Sequence, residues 1–392
     1  MAIPTPSADR ASIGQLFGYP FRIFFLSMAL LVVVVLPVWV LQATGILQLP
    51  LALPGVLWHQ HEMLFGFLTA AIAGFLLTAV CTWTQTDRIH GLRLVLLWGV
   101  WIAGRLLLAF GGDLPVWLVQ GVNLAFLPLV MIDAGWRVWH ARQKRQLMVL
   151  VVLGLLWLMQ IGLVIRLDPV YGYGALLMGL ALISIVGGRI TPAFTSGYLG
   201  RQGLSPSLVK NSAKLDMASV FAMIVLLATL VSGWRALAGV IAIVAAGIML
   251  VRLYHWKGWL TRKEPLLWIL HLSILWVPVA LTLLAGHLLA GWPSIAWAHA
   301  AGAGAIGCLI FGVIARVTLG HTGRSLVLPR GMATAFVLIQ LAAVARVLTA
   351  FNILGWHAGI GVSTILWLIA FGVFLWRYTH ILASPRPDGK IG

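Results

Sequence analysis

The stretch Arg22-Ile-Phe-Phe-Leu-Ser-Met-Ala-Leu-Leu-Val-Val-Val-Val-Leu-Pro-Val-Trp-Val-Leu-Gln-Ala-Thr-Gly45 decides the fold class. Beyond its arginine it carries no charge, and a helix needs about 20 mostly apolar residues to cross the hydrocarbon core of a bilayer. The same criterion returns eleven further spans, near 57–84, 91–111, 115–138, 146–166, 170–194, 214–233, 236–255, 265–290, 295–318, 331–353 and 359–382. The expected fold is therefore an all-α polytopic membrane protein of twelve transmembrane helices. Bulk composition agrees. The 392 residues are 61% hydrophobic and 9% charged, with a mean hydropathy of +1.02, whereas soluble chains carry about 25% charged residues. A water-soluble enzyme fold is excluded, and the 19 tryptophans suit the interfacial belts where amphipathic rings collect.

A formal net charge of +17 on a soluble chain would point to nucleic acid. Topology supplies a sufficient cause here, so no nucleic-acid partner is expected. With twelve spans, alternate connections lie on opposite faces, and 22 of the 26 lysines and arginines, from Arg10 to Lys390, fall on one face. The other face has Arg166 and Arg235, while Arg105 and Arg346 lie inside the third and eleventh spans. The positive-inside rule then makes both termini cytoplasmic. The expected division is a cytoplasmic segment 1–21, a twelve-helix membrane domain 22–383 forming one bundle, and a cytoplasmic tail 384–392. Residues 1–21 hold no apolar core of a cleavable signal. Cys81 and Cys308 fall in apolar runs without CxxC spacing, so neither a disulfide framework nor a zinc site is encoded.

An internal repeat emerges from the spans. His61 is followed by Gly66 and Gly74, and His299 by Gly304 and Gly312 at the same spacing. Arg105-Leu-Leu-Leu-Ala-Phe110 in the third span answers Arg346-Val-Leu-Thr-Ala-Phe351 in the eleventh, and Arg189-Ile-Thr-Pro-Ala-Phe-Thr195 answers Arg316-Val-Thr-Leu-Gly-His-Thr322. The shift of eight spans, with a match between, predicts three repeats of four helices.

Ionisable groups inside a bilayer cost about 2.5–3.5 kcal/mol each at its centre, so those present are paired, solvated or employed. Topology puts His59, His61 and Glu62 at the outer end of the second span and His299 at the outer end of the tenth. Arg105 and Arg346 fall in the outer halves of their spans, and His287 and His357 also lie on the outer side. Imidazoles on facing helices can ligate a haem iron axially, and arginines can pair its propionates. The glycines after each histidine remove bulk along one stripe, admitting a flat macrocycle or a neighbouring helix. Haem b is thus the expected cofactor, with His61 and His299 gripping one iron, His59 as substitute for His61, and Arg105 and Arg346 at the propionates. His59 is about 200° round a regular helix from His61 and shares a face with Glu62 and Met63. That set reads either as a copper or proton site or as an interfacial histidine stabilised by Glu62. On the cytoplasmic side Asp133, Arg189, His271, Arg316 and the loop Gly320-His321-Thr-Gly-Arg324 form a second set, with His271 and His321 as metal-ligand candidates. The bland alternative pairs Asp133 with Arg137 one turn on and uses the arginines as headgroup anchors.

Trp58-His-Gln-His-Glu-Met-Leu-Phe-Gly-Phe67, Gly188-Arg-Ile-Thr-Pro-Ala-Phe-Thr195, Leu267-Trp-Ile-Leu-His271, His299 with Gly304-Ala-Ile-Gly307, and Arg316-Val-Thr-Leu-Gly-His-Thr-Gly-Arg324 resemble the NnrS family over nearly the whole chain. The resemblance implies a twelve-helix bacterial inner-membrane protein that binds haem and copper and is linked to nitric oxide, denitrification and nitrosative-stress defence. Nitric oxide would be the small-molecule ligand and a membrane component the electron donor, with an oxidoreductase activity on nitric oxide left open. In organisation the chain also resembles the large subunits of haem-copper oxidases and nitric oxide reductases, which hold haem through histidines on helices two and ten. It departs from them in having no histidine in helices six and seven and only one in helix ten. A secondary transporter of a small solute or metal is the alternative reading.

Overall fold

The computed structural model describes residues 11–390. Arg10, counted above among the positive residues, lies outside them. Twelve helices are long and apolar enough to span a membrane, and no strand occurs among the described residues. In chain order they are α1 (Pro20–Ala43), α2 (Gly55–Thr84), α3 (Leu92–Phe110), α4 (Val116–His140), α5 (Lys144–Arg166), α6 (Pro169–Arg201), α7 (Ala213–Val231), α8 (Arg235–His255), α9 (Pro265–Ala290), α10 (Ser294–His321), α11 (Met332–Ala350) and α12 (Trp356–Ala383). The protein is a multi-pass membrane protein, and its outward faces are apolar as lipid requires. Leu30, Val34, Ile132 and Val240 are exposed along the helices, and Trp117, Trp136, Trp139, Trp234 and Trp376 near their ends.

The ends of these helices are set by local chemistry. Asp168 caps α6 by accepting from the Val170 amide, with Pro169 at the first helical position. Glu264 and Pro265 open α9 in the same way. Each side chain satisfies a backbone donor that has no partner within its helix. The proline supplies a pre-set φ where its missing N–H costs nothing.

The most buried spans are α2, α6 and α10, with 78%, 78% and 72% of their apolar windows inside the protein. They recur every fourth helix. Two of the three depart from α-geometry just after a histidine. Glu62–Leu68 in α2 and Ala300–Gly307 in α10 are π-helical, a local widening that cannot be read from hydropathy.

The largest departure from the sequence reading is α6, expected to end near 194 and observed to run to Arg201. Pro192 sits inside it and cannot donate to the Gly188 carbonyl. The Asn211 side-chain amide takes that carbonyl at 3.4 Å, and the helix continues. The connection expected over 195–213 is shortened accordingly, and a 3-10 turn, Pro206–Leu208, lies within what remains.

The chain divides into two compact units. Unit 1 comprises Met1–Leu150, Ile314–Met332 and Phe371–Gly392, and unit 2 comprises Val151–Val313 and Ala333–Ala370. In unit 1 α1 packs on α2, α3 on α4, and α2 on α4. Arg22, wholly buried, donates to the Leu382 and Ser384 carbonyls, the latter at 2.8 Å. It thereby satisfies orphan acceptors at the end of α12, where the helix dipole favours a cation. In unit 2 α8 packs on α9 and α7, α6 on α7 and α9, and α9 on the π-segment of α10.

Candidate functional site

In unit 1 the site is built on the π-segment of α2. A π-turn shifts the helix hydrogen-bond register and leaves carbonyls needing outside donors. Here α3 supplies them. Arg105 Nη1 donates to the Phe65 carbonyl at 2.6 Å, and Trp101 Nε1 to the Gly66 carbonyl at 3.1 Å. The Thr69 hydroxyl, one turn on, adds a second bond to Phe65 at 2.7 Å. Arg105 also donates through Nη2 to Asn123 Oδ1 at 2.6 Å. Asn123 is held by its own bond to the Val119 carbonyl and seats against Gly104, where a Cβ would lie 2.8 Å from its oxygen.

Arg105 thereby fixes Glu62. Its Nε lies 3.4 Å from Glu62 Oε1, and the same oxygen lies 3.7 Å from His61 Nδ1. Relative exposure is 0% for His61, 1% for Glu62 and 6% for Arg105. Two opposite charges in so dry a place persist because they compensate each other; either one alone carries a desolvation cost of several kcal/mol. Nδ1 is the ring nitrogen turned toward the carboxylate; with its proton there, Nε2 would carry the lone pair. That is the orientation a carboxylate imposes on a metal-ligating histidine. The phenyl ring of Phe65 lies 5.1 Å from the imidazole.

Unit 2 holds the other expected ligand. His299 Nδ1 faces the Ile295 carbonyl at 2.9 Å and Nε2 faces Arg346 Nη2 at 2.8 Å. A guanidinium only donates, so Nε2 accepts and Nδ1 carries the proton. The π-segment that follows His299 is Ala-Ala-Gly-Ala-Gly-Ala-Ile-Gly, and its small residues admit two large rings. A Cβ on Gly304 would lie 2.5 Å from the Trp276 ring and one on Gly307 2.6 Å from the Trp367 ring.

A family model described as NnrS protein matches residues 15–386. The chain belongs to the NnrS family. Membership supports a nitric-oxide-linked membrane protein, from a family known in general to bind haem and copper. The comparison with curated proteins finds no match.

Within this NnrS protein the remaining expected residues fall as follows. His59 stacks on Trp39 of α1, with ring centroids 4.7 Å apart and planes 12° from parallel. The Glu62 carboxylate, which regular helix geometry assigned to His59, is drawn to Arg105 and His61 where the π-turn begins. Arg105 is already engaged by Glu62, Phe65 and Asn123, so in this structure it serves as a positioning group for Glu62. The glycines after each histidine pack helices: Gly74 lies under Phe24 and Phe25, and Gly312 under Ile269 and Leu270. His271 in unit 2 donates to Thr195 Oγ1 at 2.9 Å, since that hydroxyl's own proton goes to the Thr191 carbonyl. His321 in unit 1 lies 5.5 Å from the Phe21 ring, and its carbonyl accepts from Arg386. No group of three or more His, Cys, Asp and Glu side chains gathers among the described residues. Asp133 pairs with Arg137 one turn on, at 2.9 and 3.0 Å.

A second buried charged set, in unit 2, was not singled out from sequence. Arg252, 2% exposed, lies 2.7 Å from Asp216 Oδ1 and donates to the Ser184 carbonyl at 2.9 Å and to Ser219 Oγ at 2.9 Å. Its guanidinium lies over the Trp256 ring and against Gly188, where any side chain would collide with it. Arg252 counts as a loop-side positive in a charge tally. Its place on one helix face with Met249, three residues before it, and Trp256, four after it, was the available signal that it turns inward.

Proposed function

We propose that this NnrS protein is a bacterial inner-membrane haem protein that binds nitric oxide, with haem b as cofactor and His61 of unit 1 and His299 of unit 2 each a candidate iron ligand. The observation that carries the reading is the fully buried His61, its Nδ1 3.7 Å from Glu62 and Glu62 in turn 3.4 Å from Arg105. A buried histidine with one ring nitrogen toward a carboxylate and the other able to present a lone pair is the kind of donor a haem iron takes. His299 Nε2 already accepts from Arg346 at 2.8 Å, so it would offer iron a lone pair only with Arg346 turned away, toward a propionate. Trp58 and Trp297, close before each histidine, have buried indole N–H groups without a hydrogen-bond partner. Such donors suit the carboxylates that a porphyrin carries.

When bound, haem supplies an iron centre whose open or displaceable position takes nitric oxide. The chain's own contribution is to orient the imidazoles, exclude water and admit a small apolar gas from the surrounding lipid. The copper set His59, Glu62 and Met63 does not fit the geometry, because the Glu62 carboxylate is taken up by Arg105. No copper chemistry is derived from it. The recurrence of the buried helices α2, α6 and α10 at intervals of four, with matching π-segments in two of them, supports the three four-helix repeats read from sequence. The excess of Lys and Arg on alternate connections supports cytoplasmic termini.

The test is optical. Purified protein is expected to show a Soret band that shifts when nitric oxide is added to the reduced form. Colourless protein that binds a solute would replace this reading with transport.

A further inference from the structure

Outside the histidine sites, unit 1 contains a recess of about 560 Å³ where the loop between α2 and α3 meets the end of α4. That volume lies in the range of small-ligand sites. Its lining includes Asp87, Arg88, His90, Leu92, Arg93 and Arg137. Two of the three guanidiniums are committed to building it. Arg137 holds Asp133, Thr86 Oγ1 at 3.0 Å and the Asp87 carbonyl. Arg88 donates to the Gly18 carbonyl at 2.7 Å, lies over the Tyr19 ring, and comes within 3.4 Å of Asp87. His90 also approaches Asp87, at 3.5 Å. The third guanidinium, exposed Arg93, makes no ion pair among the described residues. Asp133 and Asp87 balance Arg137 and Arg88, so the recess keeps Arg93 as an uncompensated cation, with His90 beside it. Asp87 is held below the usual carboxylate range, first by the Arg88 backbone N–H and then by the charges of Arg88 and His90.

The surroundings identify the anion's source. Leu92, on the rim, is 72% exposed, and Leu96, one turn along α3, is 62% exposed. Trp136 and Trp139, on the last turns of α4, are also exposed. A cationic recess at helix ends that continues into an apolar flank matches a molecule with an anionic head and hydrocarbon tails. Arginine forks match phosphate oxygens, and basic pockets at the ends of transmembrane helices bind anionic headgroups. We propose that this recess binds the phosphodiester of an anionic phospholipid, with Arg93 as its partner and the acyl chains along Leu92 and Leu96. Inorganic phosphate shares the headgroup chemistry and lacks the tails.

The test is native mass spectrometry of the full-length protein in detergent, titrated with phosphatidylglycerol or with phosphatidylcholine of the same chain length. Wild-type protein is expected to retain phosphatidylglycerol in preference. Arg93→Gln should weaken that retention about fivefold, the factor carried by one arginine at an anionic surface. Lys214→Gln, an exposed charge of unit 2, should leave it unchanged, and millimolar inorganic phosphate should not displace the lipid. Arg93 is exposed, so its variant keeps the fold, and an unchanged thermal transition checks this. Equal retention of the two lipids, or undiminished retention in Arg93→Gln, overturns the proposal. Displacement by inorganic phosphate also overturns it, in favour of a soluble phosphate site.

Discussion

Replacing Arg105 with methionine tests the buried core of unit 1 most sharply. The substitution keeps much of the volume and removes the charge. It deletes two bonds of 2.6 Å, to Phe65 and Asn123, and leaves a carboxylate that is 1% exposed without its counter-charge. Stranding one partner of a buried ion pair costs about 3–5 kcal/mol. Losing the guanidinium bonds adds to this without simple summation, since they belong to one network. The expected total is at least about 4 kcal/mol. Most of the loss comes from Glu62, so adding Glu62→Gln to Arg105→Met should recover about 2–3 kcal/mol. The assay is unfolding of the detergent-solubilised protein across the four-member cycle, with the haem spectrum recorded for each. If Arg105 acts through Glu62, the double variant also regains the His61-dependent spectrum. A single-variant cost under about 1 kcal/mol, or a double variant no more stable than Arg105→Met, refutes the reasoning. A stable double variant that stays colourless returns Arg105 to the propionate role read from sequence.

Three further outcomes are expected. Gly188→Ala should cost about 3–5 kcal/mol, because a Cβ there drives Arg252 away from Asp216 and Ser184; Gly247→Ala, with nothing within 4 Å, should be neutral or stabilising by up to about 1 kcal/mol. A thermal-unfolding series on both variants decides the contrast. Asp388 is held below the usual carboxylate range, first by its bond with Arg386, which also reaches the His321 carbonyl. A depressed carboxylate contributes above its ordinary pKa and loses that contribution only as pH falls through the lower folded value. Protection of the tail from protease should therefore persist down to about pH 4, while Asp388→Asn should weaken it already at pH 7. Trp276→Ala should loosen the π-segment of α10, seen as faster amide exchange over Ala300–Gly307, because that ring fills the space over Gly304.

The twelve spans were legible because length and hydropathy are what a bilayer selects, and α9 begins and ends where its apolar run does. The overrun of α6 was not, because Pro192 reads as a stop unless Asn211, distant in sequence, is known to take the freed carbonyl. The histidines and the two intramembrane arginines were legible as rare residues at cost. What they pair with was not. The periodicity of a regular helix assigned Glu62 to His59, and the π-turn starting at Glu62 breaks that periodicity. Arg22 and Arg252 were read as interfacial positives, yet both are buried on partners from remote helices: α12 carbonyls for one, and Asp216 with two serines for the other. A charge tally sees position along the chain and not the face toward which a long side chain turns.

The most direct test of His61 as an iron ligand is chemical rescue. His61→Ala protein, purified with haem supplied during expression, is expected to show a lost or strongly altered Soret band, and added imidazole should restore a wild-type-like spectrum by filling the space the side chain left. His90→Ala should resemble wild type throughout. A wild-type spectrum in His61→Ala before any imidazole is added contradicts the assignment.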